Sequence, residues 1–319
     1  MEQNSPHSHV QEEQFPLVLR PFDCFKSLVW WRNAAILSAA FAPSCAVPAG
    51  LWLVVLALFI FPLYFVIKTL NGTVDVSKLI QTGVIYIVCM LIAVPLFFWS
   101  IGAWLVRLTA YCNAFVSFSE NALTSTNLNS RDARERLKDA LKIVAERKVF
   151  LAKFWSTLTA ILIVPCIFLV IAMCVLAAAS PGVLGPAQVQ FPLWAMVLTH
   201  FFFWISFALL TIVSFVGLCI SASASVNPVQ HAKISMQISV QKFFPLLILS
   251  ALSVLIATLI TSPVELFRSI QTRDVFAINI NGWSVVEEIW RAISSTIVLT
   301  LTVAPICEYL RGSLSSEEP

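Results

Sequence analysis

Apolar residues fill long, uninterrupted stretches of this chain. Gly83 to Trp104, Trp155 to Ala179, Phe191 to Val226 and Phe243 to Thr261 contain no Asp, Glu, Lys or Arg. A helix rising about 1.5 Å per residue needs roughly 20 apolar residues to cross about 30 Å of hydrocarbon, and each stretch supplies them. The pattern predicts an all-α fold, a polytopic transmembrane helical bundle of about six spans near 49–68, 83–106, 153–179, 191–219, 243–262 and 290–310. Ahead of the first span, Pro43 and Pro48 interrupt an apolar run. Phe22 to Ala42 is therefore expected to be an interfacial or re-entrant helix, with a break before span one.

Between the apolar runs the period changes. Ala133, Leu137, Ala140 or Leu141, and Val144 recur at helical spacing with charges opposite, which predicts an amphipathic helix capped by Asn129 or Ser130, with Asp132 in its first turn. "FDCFKSLVWWR" and "PVQHAKISMQISVQK" hold equivalent places before other spans, so the chain divides into three segments, each an amphipathic stretch followed by two spans. A threefold helix-plus-hairpin repeat and a mere sequence of three hairpins both fit this order. On the other side, Ser262-Pro263-Val264-Glu265 and Ser284-Val285-Val286-Glu287 read as helix starts, with Trp283 and Trp290 as interface anchors.

Composition strengthens the membrane reading: 59% of the 319 residues are hydrophobic and 12% charged, about half the usual charged fraction. Charge sets the orientation. With the N-terminus inside, the inner segments carry 15 of the 20 basic residues, leaving Lys68, Lys78, Arg268, Arg273 and Arg291 outside. Both termini are then cytoplasmic. Residues 1–19 read as a disordered cytoplasmic tail without a secretory signal, 20–312 as one membrane domain, and 313–319 as a short cytoplasmic tail.

Candidate binding residues gather on the middle amphipathic stretch. Arg131, Arg134, Arg136, Lys138, Lys142, Arg147 and Lys148 fit a helix on the cytoplasmic leaflet, meeting anionic lipid or a partner protein. The competing reading is a solvated loop helix obeying the positive-inside rule. Small residues at four-residue spacing form three further rows: Gly217, Ser221 and Ser225; Ser253, Ala257 and Thr261; Thr296, Thr300 and Ala304. They suit close helix packing in lipid, and as a second reading they could line a polar path.

Reaction chemistry is not legible. No Asp, Glu, Lys or Arg falls in a span core, and His200 is the single ionisable candidate there, read as a packing histidine. HExxH, GxSxG and Walker sequences are missing. The eight cysteines form no CxxC pair and read as small apolar packing residues rather than a disulfide or zinc framework. No cofactor, metal or nucleic acid is expected.

Two segments carry a family resemblance. "SASASVNPVQHAKISMQISVQKFFPLLILSALSVLI" (221–256) resembles the small-residue run, amphipathic helix and following span of bacterial six-span proteins related to glycerophosphodiester phosphodiesterase membrane domains. "VAPICEYLRGSL" (303–314) is similar to that group's closing helix, with Tyr309 standing where an acidic residue often precedes Leu-Arg. The resemblance implies a bacterial inner-membrane location and an accessory role, since the group's phosphodiesterase activity belongs to a separate soluble domain. The expectation is a non-enzymatic membrane module that binds lipid, a partner complex or a second copy of itself. A permease for an apolar or amphipathic solute is the alternative.

Overall fold

The computed structural model describes residues 25–70, 76–118, 123, 127–179, 192–224, 227–271 and 296–311, and all regular structure among them is helical. In chain order the helices are α1 (Leu28–Phe41), a 3-10 turn (Ala42–Cys45), α2 (Ala46–Leu70), α3 (Val76–Val116), α4 (Ser130–Glu146), α5 (Lys148–Ile161), α6 (Ile163–Ala179), α7 (Leu193–Ser223), α8 (Pro228–Gln241), α9 (Phe243–Gln271) and α10 (residues 296–311). Leu28–Phe59, Ile80–Val116 and Leu193–Ser223 are each long and apolar enough to cross a membrane. Two bent pairs raise the number of candidate spans to five: Lys148–Ile161 with Ile163–Leu176 at 55°, and Pro228–Gln241 with Phe243–Ile256 at 85°. Among the described residues the protein is thus all-helical, with three to five candidate membrane spans.

Local chemistry explains the boundaries. The Asn129 side chain accepts from Arg131 N at 3.2 Å and starts α4, and Asp132 in its first turn suits the positive end of the helix. Asn227 starts α8 from a left-handed conformation (φ 53°) directly before Pro228, where ordinary helical geometry is disfavoured and Asn tolerates the positive φ. Pro165 explains the 55° bend at Leu162, because its ring cannot donate to the preceding turn and crowds it. Pro95 is carried inside α3 without ending it.

Two expectations change. The prolines at 43 and 48 do not separate an interfacial helix from span one: the chain passes from α1 through a single 3-10 turn into α2, with Pro43 placed in the first turn of that 3-10 segment, where its missing N–H costs little. Ser262-Pro263 does not begin a helix either, since α9 runs through to Gln271. A membrane helix can absorb one proline without ending. Ser284–Glu287, Trp283 and Trp290 lie outside the described residues, as do both tails.

The packed core sits at one end of the molecule. In α3, Leu91 and Phe98 are 70% and 66% exposed, whereas Tyr111, Cys112 and Phe115 near its C-terminus are buried. The helix α7 repeats this polarity, from exposed Leu193 and Trp194 to buried Val213, Val216 and Cys219. At about 1.5 Å per residue, α3 is roughly 60 Å long, twice the hydrocarbon thickness, so one half can face lipid while the other is enclosed by protein. Every side chain of α10 from Thr300 to Arg311 is buried, making it a central helix at that same end. The short helices pack on neighbouring helices: α4 against α1 and α3, and α8 against α5 and α7. Contiguous exposed apolar surface on α3, α6 and α7 is what a lipid-facing wall requires.

Candidate functional site

The amphipathic periodicity of α4 resolves into two faces with separate uses. Ala133, Leu137, Ala140 and Val144 are buried against α1 and α3, so the apolar face is spent on protein rather than dipped into a leaflet. The linker ahead of α4 is held by α1. Asn33 Nδ2 donates to Leu123 O at 3.0 Å, Leu128 N donates to Asn33 Oδ1 at 3.0 Å, and Arg32 donates to Asn127 Oδ1 at 3.1 Å. What α4 leaves outward is charge: Arg131, Arg134, Arg136, Lys138, Lys142 and Lys148 are exposed and Arg147 is partly so. Arg131 pairs with Glu135 at 3.3 Å. Arg136 lies 4.3 Å over the Phe118 ring and donates to Ser117 O, which fixes it structurally. Arg134, Lys138 and Lys142 remain as the outward cations one or two turns apart.

Beneath α4 the C-terminal ends of α3 and α7 meet residues 307–311 of α10, and side chains from one helix serve the unpaired carbonyls of another. Asn113 Nδ2 on α3 donates to Ala222 O of α7 at 2.9 Å. Arg311 on α10 donates to Val116 O at 3.2 Å and to Phe118 O, closing the end of α3. It also pairs with Glu308 at 3.1 Å, and both are buried (3% and 1% exposed). This end of α10, within the span expected near 290–310, holds a buried ion pair that the apolar pattern does not disclose. Neutralising each other and bonding to carbonyls is how two charges survive such burial.

The same convergence brings three cysteines together. Cys112, Cys219 and Cys307 are fully buried, and their Sγ atoms all lie within 4.8 Å of one another, with Cys219 and Cys307 at 2.9 Å. Cys112 and Cys219 each stand four residues before the last residue of their helices, Val116 and Ser223. Tyr111 is adjacent, its hydroxyl engaged with Ser38 Oγ at 3.0 Å. Reading the cysteines as scattered packing residues misses this cluster. A metal-type spacing motif could not reveal it, because the ligands come from three distant helices. The legible signal was their shared place at the end of the second apolar run in each segment.

The small-residue rows separate. At Gly217 an added Cβ would stand 2.8 Å from Leu158 Cδ2 and 3.4 Å from Trp155 Cη2, so α5 and α7 approach closely there. Ser221, Ser253, Thr296, Thr300 and Ala304 are buried. The Ser221, Ser253 and Thr300 hydroxyls donate to Leu218 O, Leu249 O and Thr296 O of their own helices, at 3.1, 2.7 and 2.9 Å. Ser225 lies outside the described residues, and the side chains of Ala257 and Thr261 are likewise not described. His200 is exposed on α7 with Nδ1 2.8 Å from Met196 O, apart from the packed end. Comparison with protein-family models, curated proteins and solved structures finds no match to this chain.

Proposed function

We propose that the chain is a six-span, non-enzymatic membrane module that presents the outer face of α4 to anionic lipid headgroups on the cytoplasmic side. The observation that carries this is the division of α4: its apolar face is used up against α1 and α3, while Arg134, Lys138 and Lys142 point outward. A helix held in this way cannot be a loop drifting in solvent. Its cations are presented at a fixed place, at the end of the molecule where α3 and α7 pass from exposed apolar surface into the packed core. Both termini are cytoplasmic in this reading, as the charge asymmetry requires.

The threefold plan belongs to the same proposal. The helices α1, α4 and α8 each precede two longer helical runs, and α4 and α8 each pack on the long helix that ends the preceding segment. The likeness to phosphodiesterase-associated membrane domains rests on residues 221–256 and 303–314, which include α8 and much of α9 and α10, the parts that complete the packed end. A permease would need the hydroxyl rows to face a path. Ser221, Ser253 and Thr300 instead turn back to their own carbonyls, which favours packing seams.

The test is native mass spectrometry of the full chain extracted gently from its membrane, compared with the Arg134→Gln, Lys138→Gln, Lys142→Gln triple variant. Arg136 is left intact because it packs on Phe118. At about 1 kcal/mol per cation near an anionic surface, the triple change should weaken retained anionic phospholipid by roughly 100-fold. Unchanged lipid retention by the folded variant would end the proposal, and loss of a bound protein instead would transfer the face to a partner.

A further inference from the structure

We propose that Cys112, Cys219 and Cys307 form a binding site for one thiophilic metal ion, with a donor set suited to three-coordinate Cu(I). Three observations support the site. The three Sγ atoms already lie within 4.8 Å of one another, so small rotations about χ1 bring all three to the roughly 2.3 Å at which thiolates bind a first-row metal. Their helices are anchored to each other by Asn113 and Arg311, which fixes the ligand backbones before any metal arrives. Cys112 and Cys219 each lie one turn, about 6 Å by helical rise, from the C-terminal ends of α3 and α7, whose negative dipole ends favour a cation there.

The donor set selects the ion. Sulfur ligands favour Cu(I), zinc and iron–sulfur centres over magnesium or calcium. Zinc in a structural site takes four ligands, and among the described residues no His, Asp or Glu joins the three cysteines. Tyr111 is turned away to Ser38. Cu(I) is satisfied by three sulfurs. Binding displaces thiol protons to the solvent as the sulfurs become thiolates, so occupancy rises with pH without any electron transfer. The full burial of all three cysteines keeps water and external thiols from the ion. The competing account is that three small residues merely fill the point where helix ends meet.

The experiment uses the full chain in detergent under anaerobic, reducing conditions, titrated with Cu(I) supplied as its acetonitrile complex against a chromophoric Cu(I) chelator. The expected result is one Cu(I) per chain, with Cys112→Ala, Cys219→Ala and Cys307→Ala each lowering the affinity at least about 10-fold, the least that loss of even an outer-shell partner costs. Cys166→Ala and Cys174→Ala, whose side chains are exposed on α6, should leave it unchanged. Should the alanine variants fail to fold, alkylation of the wild type decides: Cu(I) must protect Cys112, Cys219 and Cys307 against a maleimide under partly unfolding conditions. Absence of stoichiometric Cu(I), no protection of those three, or a Cys219–Cys307 disulfide that persists under the reducing conditions of the titration would overturn the site.

Discussion

At Gly217 the missing side chain decides how near α7 can come to α5, because a Cβ there would press on buried Leu158 and on Trp155. Gly217→Leu should therefore destabilise the fold by about 3 kcal/mol, the upper end of ordinary overpacking. Gly102→Leu, where a Cβ meets nothing within 4 Å, should be close to neutral, and thermal unfolding in one detergent compares the two. Glu308 and Arg311 make the opposite kind of test. Glu308→Gln leaves a buried guanidinium without its counter-charge and should cost about 3–5 kcal/mol, while Glu308→Gln with Arg311→Met should recover a substantial part of it. If the single and double variants melt alike, the ion pair is not what holds the end of α10. Gly217 was legible as a small residue at four-residue spacing. The buried pair was not, because Glu308 and Arg311 fall at the boundary where an apolar run ordinarily meets water.

The amphipathic helix α4 shows how far an element can be read from its pattern. Its cap at Asn129, its first-turn Asp132 and its buried positions Ala133, Leu137 and Val144 all follow from side-chain chemistry and helical period. What covers the apolar face does not follow, since lipid and protein ask for the same stripe. Here α1 and α3 cover it, and that partner arrives from a distant part of the chain. Asn129→Ala should cost α4 about 1 kcal/mol, seen as faster amide exchange in its first turn with little change in α5. Equal acceleration throughout α4 and α5 would mean that the two open as one unit. The bend at Leu162 was foreseeable from Pro165, whereas the prolines near 43 and 48 gave a break that the 3-10 turn avoids.

For the whole molecule, apolar runs located the helices well because in a bilayer every backbone group must be satisfied within its own segment. They located little of the packed end. Cys219 and Cys307 are 88 residues apart, and Cys112 belongs to yet another helix, so their meeting depends on tertiary placement alone. The molecule that results has an end of exposed apolar helices and a dense end. The dense end holds the C-terminal ends of α3 and α7, the buried ion pair of α10 and the cationic face of α4. Lipid binding by α4 as proposed requires that the dense end face the cytoplasm, the orientation expected from the charge asymmetry of the loops.

Sided labelling tests this most directly. Ser130→Cys at the start of α4 and Ser313→Cys, two residues after Arg311, are placed singly in a chain whose Cys24, Cys89, Cys166 and Cys174 are alanine. A membrane-impermeant maleimide is then applied to intact cells and, separately, after lysis. Labelling of both positions only after lysis is the predicted result. Labelling of either from outside the intact cell would put that end of the molecule on the other side, and the cytoplasmic lipid-binding account would fall with it.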